Sequence, residues 1–295
     1  MSLKLNLSQK LLIAIAAVLC AAGAGKLLYC RIKPFDALLF SIDNLERSAG
    51  YEQEARIICR TEAEAWSERS IPAEIVNNTL ITVNYKKKAN VSKAEFTLSA
   101  LDTEMTLLSG EIYTEKDLTA LSIGGRTLFS GRSKPASELT DSLRDIKDSV
   151  TDYLRYSPGT AVTINDYGKP TDMIMDNFSL VMESGESANL IKNLIGTLNN
   201  SMPEVFEYLK QIPAHSAQNI YAIFQIDGFM RPRGIQAEIR FNEISVMYEM
   251  SITRVSGDIS ITPADITNGV DIGDLSEDEI EPLLKEFFDS LAGGK

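Results

Sequence analysis

Histidine occurs once in the 295 residues, tryptophan once and cysteine three times. That scarcity narrows the chemistry. The single histidine, His215, sits in Ile212-Pro213-Ala214-His215-Ser216, which reads as a loop. Histidine is the commonest general base, and serine or cysteine nucleophiles usually lean on one. A lone loop histidine is ordinarily a solvated residue. There is no GxSxG, no P-loop and no GxGxxG, so no catalytic residue is assigned and an enzyme is not expected. The absence of any CxxC pair or Cys/His cluster removes zinc and dithiol motifs, and neither a cofactor nor a metal is expected. Asp265, Asn268, Asp271, Asp274 and Asp278 are close in sequence, but the alternate ligands, glycine and terminal glutamate of a calcium loop are missing. They read as a solvated loop ahead of a helix whose positive end favours acids.

Basic charge is also scarce, and it is unevenly placed. The formal net charge is −12. Residues 1–33 hold Lys4, Lys10, Lys26, Arg31 and Lys33 and no acid, which leaves 24 basic against 41 acidic residues, a net of −17, in 34–295. Such a body repels phosphate backbones, so nucleic acid is not an expected partner.

One apolar run stands out, Leu11 to Gly25 (LLIAIAAVLCAAGAG), with lysines before it and Lys26, Arg31 and Lys33 after it. Two readings stay open. Ala22-Gly23-Ala24 has the small residues of a signal-peptide cleavage site. Alternatively Leu27, Leu28 and Tyr29 prolong the run to about Cys30, roughly the 20 residues a bilayer needs, with Lys26 snorkelling to the interface. The second reading is favoured. It implies a single-pass protein of the cell membrane with an extracytoplasmic body; the first implies a secreted one. The expected division is a signal or anchor segment, 1–33, and a single extracytoplasmic domain, 34–295. No acylation site is evident, since Leu19 precedes Cys20 and Tyr29 precedes Cys30. Cys30 and Cys59 could pair in an oxidising compartment; the favoured reading places Cys30 at the membrane boundary and takes Cys59, in Ile57-Ile58-Cys59, as a small buried hydrophobe.

In the body, Phe35 to Arg47 places Leu38, Leu39, Ile42 and Leu45 at helical spacing. Strands are expected over Tyr51–Ala65, Thr79–Tyr85, Ala94–Ala100 and Met105–Tyr113. Leu118–Ile123 and Arg126–Ser130 flank Gly124-Gly125, a two-residue hairpin signal. Helices are expected over Ser137–Leu154, Ser187–Leu198, Glu204–Gln211 and Ser276–Leu291, with strands over Thr160–Ile164 and Asp172–Met182. Ile220 to Ile226, Ile235 to Phe241 and Ile244 to Ile252 each alternate, giving an antiparallel meander. Breaks between units fit best at Ser130–Ser137 or near Tyr156-Ser157-Pro158-Gly159. The order predicts an α+β fold, an antiparallel sheet with helices packed on one face.

Pro34-Phe35-Asp36-Ala37-Leu38-Leu39, its amphipathic helix, Tyr51-Glu52-Gln53-Glu54-Ala55 and a late meander ending in Ile259-Ser260-Ile261-Thr262-Pro263 resemble LolA/LppX-like envelope proteins. The resemblance implies a curved, half-open antiparallel barrel with helices on its concave face, which often holds an acyl chain. It carries no residue signature.

Two groups of residues follow as candidate sites. A sheet–helix cleft for a lipid or acyl chain would be lined by Phe96, Leu98, Met173, Met175, Phe178, Met182, Phe224, Tyr248 and Met250, whose methionines suit irregular apolar surfaces. Filling the core is the simpler role for these side chains. Phe229, Met230, Arg231 and Arg233, apolar and basic together in an acidic body, suit contact with a membrane or a carboxylate-bearing partner. The competing function is a structural or sensory ectodomain that recognises another envelope protein and holds no small ligand.

Overall fold

The computed structural model describes residues 24–61, 78–101, 105–131, 144, 146–166, 169–201, 217–241, 244–272, 275 and 282. The apolar run up to Gly23, His215, the helix expected at Glu204–Gln211 and nearly all of the one expected at Ser276–Leu291 lie outside these residues. Among the described residues no helix is long and apolar enough to cross a membrane.

The described residues are mostly β, with a few helices. Twelve strands form one open, curved sheet: β1 (Gly50–Thr61), β2 (Thr79–Lys88), β3 (Val91–Ala100), β4 (Thr106–Glu115), β5 (Leu118–Ile123), β6 (Arg126–Ser130), β7 (Leu154–Asp166), β8 (Lys169–Met182), β9 (Asn219–Ile226), β10 (Pro232–Arg240), β11 (Ile244–Val255) and β12 (Val270–Asp271). Their order is β12-β6-β5-β4-β3-β2-β1-β11-β10-β9-β8-β7. Every pairing is antiparallel except β12 with β6. Two meanders, β1–β6 and β7–β11, therefore meet along β1 and β11, where Ala55 faces Met250 and Ile57 faces Tyr248.

The Gly124-Gly125 hairpin forms as the dipeptide dictates. Both glycines take positive φ, 57° and 79°, which matches the twist of the flanking strands. Gly110 has a different reason. A Cβ there would stand 2.7 Å from Cζ of Phe96 and 2.7 Å from the Ser122 carbonyl oxygen. The Phe96 ring occupies the space a side chain on β4 would need.

Helices α1 (24–32), α2 (Pro34–Glu46), α3 (Lys147–Val150) and α4 (Glu186–Ser201) accompany the sheet. Pro34 opens α2, where its missing N–H would have had no partner and its fixed φ is already helical. Phe35, Ala37, Leu38, Ser41 and Leu45 form the buried stripe of α2. Cys30 of α1, Phe35 and Leu38 of α2, Val150 of α3 and Leu190 and Ile191 of α4 share one core with Phe178, Leu180 and Met182 of β8 and Ile220, Ala222 and Ile226 of β9. The helices thus cover one face of the β7–β10 end.

Three expectations are corrected. The helix expected through Leu154 ends by Val150, and Leu154 already opens β7. Tyr156-Ser157-Pro158-Gly159 is a bulge inside that strand, with the register shifting between Ser157 and Thr160. Proline lacks a ladder donor, Gly159 has φ of 71°, and β7 is the outermost strand, where a broken ladder is tolerated. Finally, Lys26 and Cys30, expected at an interface with solvent or lipid, pack into the body, the lysine through an ion pair with Asp176 and the thiol within the core.

Candidate functional site

Directly opposed residues in an antiparallel ladder point to the same face. Following the register from strand to strand therefore traces what each face carries. From β7 to β3 one row reads Tyr156, Phe178, Phe224, Ile235, Met250, Ala55, Val83 and Phe96. The next row reads Leu154, Leu180, Ala222, Ala237, Tyr248, Ile57, Ile81 and Leu98. Both rows are apolar, apart from the hydroxyls of two tyrosines, across eight strands. The reverse face is polar along the same line: Asn177, Gln225, Gly234, Ser251, Glu54, Asn84 and Glu95.

Seven of the nine cleft residues named from sequence share the apolar face: Phe96, Leu98, Phe178, Met182, Phe224, Tyr248 and Met250. Met173 and Met175 do not. They occupy the other parity of β8, opposite Val162 and Thr160, and Met175 is fully buried. Two regimes divide the apolar face. Under the helices it is filled, with Phe178 at 0% exposure and Met182 at 2%. Farther along, Phe96, Leu98, Ile57, Ile81, Val83 and Tyr248 are half-buried. Phe96 packs there against the small core of Ile123 and Leu128, and Met250 packs against that of Leu45, Tyr51 and Ile252.

At the β7 end of the row, α1 is fastened to the sheet by charge. Lys26 Nζ stands 2.6 Å from Asp176 Oδ2 and donates to the Asp227 carbonyl oxygen at 3.2 Å. The other oxygen of Asp176 accepts from the Gly159 N–H at 3.1 Å, which closes the β7 bulge. The Tyr156 ring lies 5.3 Å from that of Phe178. Burial raises the Tyr156 phenol above its ordinary pKa, and the negative charge of Asp176 adds to the effect. The Cys30 thiol is raised too, mainly by burial, and its Sγ lies 3.9 Å from Sδ of Met230. Cys30 and Cys59 are both free thiols.

The turn between β9 and β10 is organised by Asp227, whose side chain is 1% exposed. Its Oδ1 accepts from the backbone N–H groups of Phe229 at 2.8 Å and Arg231 at 3.0 Å. Its Oδ2 accepts from Nε of Arg231 at 3.0 Å and Nε of Arg233 at 3.1 Å. Burial alone would raise the carboxyl pKa, but the hydrogen bonds and charges of the two arginines outweigh it and hold Asp227 below the usual aspartate range. Of the four turn residues singled out from sequence, Arg231 and Arg233 thus direct N–H groups inward and Met230 is buried. Phe229 projects, 78% exposed, with the Arg231 guanidinium 5.1 Å from its ring centroid. Tyr156, Asp176 and Asp227 were not anticipated. The one local signal was Asp227-Gly228, an ordinary turn dipeptide.

A cavity of about 570 Å³ lies between α1 and the β7 bulge, lined by Ala24, Leu27, Leu28, Arg31, Tyr156 and Pro158, among others. A second, of about 330 Å³, lies on the polar face among residues such as Glu54, Arg56, Gln236 and Glu249. Among the described residues no group of three histidine, cysteine or acidic side chains could hold a metal ion.

No family model matches the chain, and no curated protein matches it. Solved structures do resemble it. The lipoprotein LppX of Mycobacterium tuberculosis is 12% identical with a TM-score of 0.31, over 76% of this chain and 99% of LppX. A DUF1329 family protein from Desulfovibrio piger is 10% identical with a TM-score of 0.25, over 77% and 93%. A beta-barrel-like DUF1849 protein from Brucella abortus is 8% identical with a TM-score of 0.20, over 71% and 99%. The likeness to LppX expected from the order of elements is present. At these scores it transfers neither ligand nor role.

Proposed function

We propose that this is a non-enzymatic envelope protein, held at the cell membrane with its body outside the cytoplasm, that binds a lipid or acyl chain between sheet and helices. The supporting observation is the pair of apolar rows crossing eight strands, with the reverse face polar along the line from Asn177 to Glu95. A sheet that buries one face needs apolar side chains there, but it does not need them half-buried. The stretch around Phe96, Leu98, Ile57 and Tyr248 is half-buried and is the proposed ligand floor. Phe178 and Met182 belong to the filled part and act as its support. The extracytoplasmic domain would span residues 34–295 after a signal or anchor segment over 1–33, with no catalysis, metal or cofactor involved.

The filled layer over β8 and β9 favours a second reading in part: an ectodomain that recognises another envelope protein and keeps no small ligand. Native mass spectrometry of the purified protein, with organic extraction, separates the two. A bound lipid lost in F96A/L98A, with the fold retained by circular dichroism, supports the carrier. A protein of bare mass from a membrane extract, binding no fatty acid when offered, sinks it.

A further inference from the structure

Exposed large apolar side chains gather at one corner of the body. On α1, Leu28 is 60% and Ile32 65% exposed, one helical turn apart, and Leu27 and Tyr29 are exposed beside them. Phe40 of α2 and Phe229 of the β9–β10 turn are exposed as well. Three contacts bind these segments into one unit. Lys26 of α1 donates to the Asp227 carbonyl, Cys30 of α1 meets Met230, and Nδ2 of Asn44 on α2 donates to the Met230 carbonyl at 3.1 Å. The opposite side of α1, Lys26 and Cys30, is therefore committed to the sheet, and the leucine side is left facing outward.

We infer that this corner, made of α1, Phe40 and the Phe229 turn, lies on the headgroup and upper acyl region of a bilayer. The inference rests on the anchored reading above, and three features point to the same occupant. The uncharged run Leu11–Gly25 leads into α1 without an intervening linker, so the corner stands within a few residues of any bilayer that run occupies. Arg31 and Lys33 are exposed beside the leucines, cationic in a body whose remainder is strongly acidic, the charge arrangement that favours anionic headgroups here and repels them elsewhere. Phe229, with a guanidinium against its ring, has the amphipathic form that settles at a membrane interface. The 570 Å³ cavity opens between Leu27, Leu28 and Tyr156. Tyr156 is the first member of the apolar row, so the same contact places the end of that row beside the lipid.

The full-length chain, carrying W66F with F229W, is reconstituted into phosphatidylcholine–phosphatidylglycerol vesicles with and without brominated acyl chains. A chain carrying W66F with Y221W serves as the control. Emission from the F229W chain is expected to shift to the blue and to fall to about half in the brominated vesicles, while that of the Y221W chain is unaffected. Adding L28E/I32E to the F229W chain, folded by circular dichroism, should abolish the quenching. If the F229W chain is retained after a carbonate wash but is no more quenched than the Y221W control, the docking is overturned and the anchor stands. Release by carbonate after quenching was seen keeps the docking and removes the anchor. A chain that neither remains nor quenches overturns both.

Discussion

Phe178 on β8 stands directly opposite Phe224 on β9, with Tyr156 tilted against Phe178 from the other side, so three aromatic rings on three strands start the apolar row. Aromatic neighbours of this kind add to the free energy of burial. Phe178 is wholly enclosed, and F178A should destabilise by about 3–5 kcal/mol. Urea unfolding followed by circular dichroism would check it. A loss under about 1 kcal/mol would mean the ring is not enclosed as described.

The Phe96 ring fills the space over Gly110. G110A should therefore cost about 1–3 kcal/mol through overpacking. The double variant G110A/F96A should recover part of that loss, since the obstructing ring is gone. Additive effects in a double-mutant cycle would contradict the contact.

Asp227 takes hydrogen bonds from Arg231 and Arg233 in a nearly closed site. D227N should cost about 3 kcal/mol at neutral pH, because two guanidinium groups lose their counter-charge. The pH dependence has a definite sign. The carboxyl pKa is lower folded than unfolded, so its contribution is complete above the unfolded value of about 3.9 and is lost as pH falls through the folded one. Wild type should accordingly lose more stability than D227N between neutral pH and pH below about 4. Equal slopes in chemical denaturation across that range would refute it.

Tyr156 and Tyr51 are raised mainly by burial, and Tyr113 is pushed up to about 12 by burial and by Glu115. Raised phenols contribute stability that is full below the unfolded pKa of about 10 and is lost as pH rises through the folded values. Ultraviolet titration should then find a group of tyrosines that ionise only together with unfolding. Smooth ionisation of every tyrosine near pH 10 in a folded chain would count against the burial of these rings.

Much of the fold is legible in the sequence because period-two spacing and turn chemistry are local. Ala94 to Ala100, Ile220 to Ile252 and Gly124-Gly125 became β3, the β9–β11 meander and the hairpin. What failed depended on distance. Pro158-Gly159 reads as a break, yet an edge strand can hold it as a bulge, and which strand is an edge is decided by pairings far along the chain. Lys26 looks like an interfacial lysine until Asp176, 150 positions later, supplies its counter-charge. Arg231 and Arg233 look available until Asp227 is found buried between them. For the candidate face, alternation predicted which residues share a strand side, whereas Met173 and Met175 lie on the opposite parity of β8 in the stretch that runs past the end of β9.

The seam between the two meanders sets the order in which this protein can be made. Ala55 and Met250 are partners separated by 195 positions, and the neighbouring pairs are as remote. Each meander can zip up from its own turns, but β1 waits with one margin open until β11 has left the ribosome. Closing so large a loop late is slow. An unpaired inner strand during that wait invites pairing with other chains. A chain cut short before residue 244 should thus clump through β1 although the ladders from β1 to β6 are intact, and the cell has reason to shield that strand during synthesis.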